Sequence, residues 1–344
     1  MNVLLLKKTD LPSFLETLAK TRLLIAPLED RTGSSFGPVE DVTAVRLDYR
    51  NTSLSAKATV FPQTETLLTF RNGEGEEWTP ETPETVLFGV RPCDARSLTM
   101  LDKVFRWDGL DDPYYVKRRE KTTVVALACN EPGPTCFCTS VGGSPADETG
   151  ADLLATDLGD ALLLRAVTPR GDALLQDAGD TVQPADSTAV ETAKGLATQA
   201  EARLAPVRIP DNARHLAELF EADVWTDLSF GCLGCGACTY SCPTCHCFDI
   251  TDEQKKGAGR RVRSWDTCTF PLFTQHASGH NPRMAKHARL RQRILHKFSY
   301  CPENFGEAFC VGCGRCVVSC PSGLDIRGIL ERLDQTVSAA EKAA

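Results

Sequence analysis

The sequence predicts a chain in two parts: a mixed α/β (α+β) domain over residues 1–225, then a smaller cysteine-rich domain over 226–344 with a long helical insertion at about 248–300. Three observations carry this expectation. Short apolar runs alternate with amphipathic stretches through the first half, the pattern of strands interleaved with helices. A cysteine run, Cys232, Cys235, Cys238 and Cys242 followed by Pro243, returns as Cys310, Cys313, Cys316 and Cys320 followed by Pro321. The two copies are separated by a strongly basic stretch that includes an amphipathic helix.

Taken in order, residues 11–19 and 95–105 fit amphipathic helices, and residues 23–25, 60–61, 86–90 and 124–128 read as strands. Within 152–164 two apolar runs flank Asp157, Leu158, Gly159 and Asp160, which predicts a hairpin. Residues 187–222, rich in alanine, leucine and glutamate, predict two helices. Pro210 opens the second, with Asp211 and Asn212 in its first turn.

Two places in this half carry chemistry. Residues 88–95 run from a strand into a helix and set Cys93 near the helix N-terminus, where free amides and the helix dipole favour a thiolate. Directly after the strand at 124–128 comes a loop rich in glycine and proline that gathers Cys129, Cys136 and Cys138 at one strand end. If the two strands are parallel neighbours, Cys93 joins them at the same sheet edge. Four cysteines then converge, enough for a cluster of their own. The alternatives are a redox-active or catalytic Cys93, with Cys136 and Cys138 as buried spectators.

The duplicated run has the spacing C-x2-C-x2-C-x3-C-P, that of bacterial ferredoxin cubes. Three thiolates on one tight turn reach three irons, and small glycines let the backbone wrap closely. The fourth cysteine points the other way and ligates the other run's cluster. One cluster is therefore assigned to Cys232, Cys235, Cys238 and Cys320, and a second to Cys310, Cys313, Cys316 and Cys242. Two structural zinc knuckles are the competing reading. They give no reason for the Cys-Pro tail or for so close a duplication. Cys238, Cys242 and Cys245 also spell the C-x3-C-x2-C of radical S-adenosylmethionine enzymes. Thr244 stands where an aromatic residue is usual, and two of the three cysteines already belong to the duplicated run.

Cys245, Cys247 and Cys268 are surplus to the ferredoxin pattern: packed thiols beside a cluster, a further metal site, or ligands completing the N-terminal one. Cys301 is assigned nothing. In the expected helix at 283–299, Leu290, Ile294 and Phe298 share a face that should pack inward. Basic residues such as Arg289, Arg293 and Lys297 line the remaining faces, and cations near a negatively charged cube raise its reduction potential. His276, His280, His287 and His296 read as packing or surface residues.

The composition narrows the class. At 344 residues and a net charge of −8, the chain is not a general nucleic-acid binder. No apolar run approaches a membrane span, and the start lacks the pattern of a secretory signal. Sixteen cysteines without such a signal point to metal ligation in a reducing cytoplasm. No dinucleotide or phosphate-loop fingerprint and no Ser-His-Asp constellation is visible.

Taken together, residues 89–94, 129–138, 232–247, 265–268, 279–281, 296–298 and 310–321 resemble one iron–sulfur family, which unites the beta subunit of cytoplasmic (sulf)hydrogenases with its counterpart in anaerobic sulfite reductases. The motifs spread over most of the chain, and their joint order is far more specific than one ferredoxin run. Cys301 lies outside the pattern. The resemblance implies an electron-transfer subunit of a hetero-oligomer, relaying electrons between a flavoprotein that handles NAD(P)H and a catalytic metalloenzyme subunit. It implies two [4Fe–4S] clusters and favours a third on Cys93, Cys129, Cys136 and Cys138. The alternative function is an enzyme whose own cluster binds substrate at an iron lacking a protein ligand.

Overall fold

A computed structural model describes residues 3–31, 33–72, 74–78, 81–210 and 213–343. Its main sheet takes strands in the order Gln183–Pro184, Val3–Lys7, Ala161–Ala166, Leu153–Asp157, Thr122–Leu127, Thr85–Val90, Leu23–Asp30 and Gly33–Pro38. The four strands from Leu153–Asp157 to Leu23–Asp30 run parallel, and the outer pairings are antiparallel. Thr85–Val90 is buried at every position, because helices cover both faces of the sheet there. Helix Leu11–Ala19 packs Phe14, Leu15 and Leu18 on one face, together with Leu174 and Leu175 of helix Pro169–Asp177. Helix Pro92–Phe105 packs Leu98, Leu101 and Phe105 on the other face, beside Tyr115.

The mixed α/β expectation holds, and the parallel pairing of Thr85–Val90 with Thr122–Leu127 sets Cys93 and Cys129 just past adjacent strand ends. The hairpin forms between Leu153–Asp157 and Ala161–Ala166. Of the two helices expected in 187–222, Ser187–Ala202 forms as one, and Ala213–Glu218 follows. Asp211 and Asn212 lie outside the described residues.

One strand does not form. Val60 and Phe61 follow a short 3₁₀ turn, Ala56–Thr59, and are buried there as core residues. Pro62, next in the chain, has no N–H to give a ladder. The turn also drives Lys57 inward, where its Nζ meets the carbonyls of Cys242 and Cys245 at 2.9 and 2.8 Å.

The insertion carries a β-hairpin as well as the expected helix. Strands Phe248–Lys255 and Ala258–Trp265 pair with each other, and the second pairs with Thr64–Arg71, which in turn pairs with Glu74–Glu77. A buried charge network fastens this second sheet. Arg263 pairs with Glu65 at 2.6 Å and with Asp112, and Glu65 also takes Arg118 at 2.6 Å. The later helix covers Lys286–Leu295, continues through a π-helical turn, His296–Tyr300, and ends in Cys301–Phe305. Leu290, Ile294 and Phe298 are buried with Trp225, Leu216 and Phe137, and with Leu330 and Leu333 of helix Ile326–Ala343. No helix among the described residues is long and apolar enough to cross a membrane.

Candidate metal centres

The duplicated runs adopt the same local shape. Each ends its tight cysteine turn on a glycine with positive φ, Gly236 at 79° and Gly314 at 73°. Each then enters a one-turn helix, Ala237–Tyr240 or Arg315–Val318. Their equivalent serines, Ser241 and Ser319, meet at 3.1 Å between the two copies.

Around this pair the cysteines line cavities in a crossed arrangement. Cys232, Cys235, Cys238 and Cys320 share one cavity. Cys310, Cys313, Cys316 and Cys242 share another. The structure thus brings the last cysteine of each run to the first three of the other.

Cys93, Cys129, Cys136 and Cys138 line a third cavity, with Arg50, Arg91, Gly312 and Cys313 in its wall. The helix beginning at Pro92 holds Cys93 in its first turn, and Cys129 follows the neighbouring parallel strand. Arg91 is fixed over the Tyr49 ring, 4.4 Å from its centroid, and donates to Ala128 O at 3.0 Å. The second cysteine run closes the floor. Phe137 N donates to Gly312 O at 2.8 Å, Asn51 Nδ2 to Cys313 O at 2.8 Å, and Cys136 Sγ lies 3.6 Å from Cys313 O.

This contact is too close for side chains on the two glycines. A Cβ on Gly312 (φ 63°) would fall 2.5 Å from the Phe137–Cys138 backbone. One on Gly314 would fall 2.3 Å from Thr135 Oγ1. Arg315 adds a buried clamp, a two-pronged pair with Asp94 at 2.7 and 2.6 Å and a bond to Thr52 O at 2.9 Å. Helix Pro92–Phe105 is thereby tied to the second run, next to both Cys93 and Cys316.

Buried cations surround these sulfurs. The sequence places Arg289, Arg293 and Lys297 on the remaining faces of the helix, but they do not face water. They are only 7, 4 and 4% exposed, a cationic stripe alongside the apolar one. The π-helical turn keeps Lys297 pointing inward, where its Nζ lies 3.4 Å from Cys242 Sγ, 2.8 Å from Thr244 Oγ1 and 3.0 Å from Phe309 O. Arg293 lines both cavities of the duplicated runs and donates to Cys238 O at 3.1 Å, while its buried Nε has no hydrogen-bond partner. Two exposed basic residues of the hairpin are neutralised across it instead, Arg260 by Glu253 and Arg261 by Asp252, each at 2.8 Å.

The thiols themselves are poised for a metal. Burial pushes the Cys93 thiol well up, with the Asp94 carboxylate adding to the effect. It pushes Cys136 to about 11 and Cys138 to about 12. Burial outweighs the helix-terminus effect expected at Cys93, so a thiolate there requires a bound cation. Cys242 moves the other way, held well down by the neighbouring Cys245 thiol and, against its burial, by Lys297 and Arg293. Among the described residues no three His, Cys, Asp or Glu side chains converge as a single metal ion requires. The sulfurs instead line shared cavities, all four of each quartet to a cavity.

Cys245, Cys247 and Cys268, left over from the three quartets, do not join the Cys93 cavity. They line a separate one with Cys301, His246 and His296. His296, read as a packing or surface residue, has its ring 5.3 Å from that of His246. The rings of His276 and His280 are likewise 5.3 Å apart, on the surface. Two residues that matter here gave no usable sequence signal: Lys57, just before the stretch read as a strand, and Cys301.

A duplicated cysteine framework crossed in this way defines a 4Fe–4S dicluster protein, and residues 231–324 match the family model described as "4Fe-4S dicluster domain". Over nearly its whole length the chain is also similar to sulfhydrogenase 2 subunit beta of Pyrococcus furiosus. The two are 30% identical over 327 residues, covering 94% of this chain and 95% of the relative. The chain belongs to that iron–sulfur family, the one its motifs resemble. No solved structure matches it.

Proposed function

We propose that this chain is the electron-transfer subunit of a multi-subunit cytoplasmic oxidoreductase of the hydrogenase or anaerobic sulfite reductase type. It passes electrons between a flavoprotein that handles NAD(P)H and a catalytic metalloenzyme subunit. Residues 1–225 and 226–344 act as its two units. Cubes on Cys232, Cys235, Cys238 and Cys320, on Cys310, Cys313, Cys316 and Cys242, and on Cys93, Cys129, Cys136 and Cys138 are the stations. When bound, each cube supplies one-electron chemistry; the chain supplies thiolates, backbone amides and fixed positive charge around it.

The observation that carries this reading is the sharing of walls. Gly312 and Cys313 line both the Cys93 cavity and that of the second run, and Cys316 and Arg293 line both cavities of the duplicated runs. The three cavities form a row. Beyond the Cys93 cavity, Arg50 and Arg91 also line a wide surface groove with Tyr49, Asn130 and Glu131. At the opposite end Cys235 is exposed, beside Leu233 at 68% and Phe230 at 87% exposure. Exposed apolar side chains of this size mark contact surfaces, and a row open at both ends suits two partners.

The test is anaerobic reduction of the purified chain with a low-potential donor, followed by electron paramagnetic resonance. All clusters are expected to reduce and to show mutual magnetic coupling. The double variant Cys93→Ser/Cys129→Ser should lose about four irons and one cluster's signal while the rest persist. Clusters that no low-potential donor reduces would end the relay reading, and an unchanged iron content in the variant would remove the N-terminal station.

A further inference from the structure

The three quartets use twelve of the sixteen cysteines. The other four, Cys245, Cys247, Cys268 and Cys301, come from three separate segments and line a single cavity. We propose that they hold a fourth [4Fe–4S] cluster, adjoining the one on the second cysteine run. This goes beyond the relay reading and does not depend on the N-terminal station.

The hairpin and the helix together assemble the quartet. Cys245 and Cys247 lie on the turn between Cys242 and strand Phe248–Lys255. Phe248 is paired with Trp265 at the root of the hairpin, and Asp266 N donates to Cys247 O at 3.0 Å, which returns the chain so that Cys268 stands beside Cys247. Cys301 arrives from the opposite side. It begins the helical segment that follows the π-helical turn, one turn beyond Lys297, so both side chains point into the same space. Cys268 and Cys301 are 7 and 1% exposed.

The surroundings fit a negatively charged group. Arg293 and Lys297 line the cavity, no Asp or Glu does, and the buried Lys57 ammonium sits behind it on the carbonyls of Cys242 and Cys245. Their hydrogen-bond partners are carbonyls, a hydroxyl and a sulfur. Arg293 and Lys297 also face the cavity of the second run, and a cube with four thiolates, being net negative, suits the cationic wall the two cavities share.

A single zinc ion is the other metal a cysteine quartet takes. The Cys247 and Cys268 side chains are hydrogen-bonded to each other and Cys245 to Cys242, so acid-labile sulfide, which a cube contains and a zinc site does not, separates the two. All four cysteines are free of disulfides.

The decisive measurement is iron and acid-labile sulfide per full chain, prepared anaerobically and reconstituted with iron and sulfide, with Mössbauer spectroscopy to identify the cluster type. The double variant Cys245→Ser/Cys268→Ser should hold about four irons and four sulfides fewer than the parent. The single variant Cys301→Ser, the mildest change, should lose iron or convert one cube to a three-iron form, whereas His296→Gln should retain the full content. Because the result is a difference between variant and parent, it stands whether the Cys93 quartet is loaded or not. Should the double variant fail to fold, Cys301→Ser and the parent's own count decide. Equal iron and sulfide in parent and Cys301→Ser, with no three-iron signal, overturns the proposal. So does loss of zinc rather than sulfide in either variant.

Discussion

Replacing Lys297 by methionine keeps the length of the side chain and removes one buried positive charge next to the cluster of the second run. Lys297 Nζ lies 3.4 Å from Cys242 Sγ. Burial works against its charge, yet the Cys242 thiolate and the cysteine sulfur beside it outweigh that and hold the ammonium ionised. With the cluster charge spread over the cube, an effective separation of about 6 Å and an effective dielectric of about 20 give roughly 3 kcal/mol per unit charge. For a one-electron couple that is about 120 mV, since a tenfold change in equilibrium corresponds to about 59 mV. The cation favours the reduced, more negative cube, so Lys297→Met should lower that cluster's midpoint by on the order of 100 mV, and Lys297→Arg should restore most of it. A redox titration followed by electron paramagnetic resonance reads the shift. A midpoint within about 20 mV of the parent, at equal iron content, would refute the electrostatic argument.

Two further outcomes follow from the packing between the halves. Gly312→Ala adds a Cβ 2.5 Å from backbone that has no room to move, at a φ of 63°, and should cost about 3 kcal/mol or more. A lower melting temperature and the loss of about four irons are expected, whereas alanine at the open Gly306 should cost about 1 kcal/mol and no iron. Breaking the Arg315–Asp94 pair, whose side chains are 3 and 1% exposed, strands a buried charge. Arg315→Met or Asp94→Asn alone should cost about 3–5 kcal/mol, and the double variant less than the sum of the two, as chemical denaturation can measure.

The duplicated runs are legible because their chemistry is local: three cysteines on one turn need no knowledge of the rest of the chain. The N-terminal quartet can be anticipated from one further assumption, that two strands are parallel neighbours, which the Thr85–Val90 and Thr122–Leu127 pairing satisfies. What escapes depends on distant placement. Nothing local tells that Ala258–Trp265 will pair with Thr64–Arg71, or that Lys57 will sit under carbonyls some 185 residues away. The basic helix misleads for a related reason. Its Arg289, Arg293 and Lys297 share a spacing with the apolar stripe, and only the carbonyls and cysteine segments packed against them give a buried cationic face its partners. Cys301 turns inward because of a π-helical turn, for which the sequence carries no plain signal.

The closure of the Cys93 cavity by Gly312 and Cys313 also governs how the chain comes into being. Asn51 and Cys313, bonded across that floor, are separated by 262 positions, and Cys136 and Cys313 by 177. During synthesis the N-terminal sheet emerges first, but its thiol pocket lacks a floor until Gly312 and Cys313 have been added. Because such non-local closure is slow and metal binding is coupled to folding, loading of that pocket is expected only after Gly312 and Cys313 have packed beneath it. A product cut short before residue 310 exposes the Cys129–Cys138 loop to oxygen with nothing to cover it.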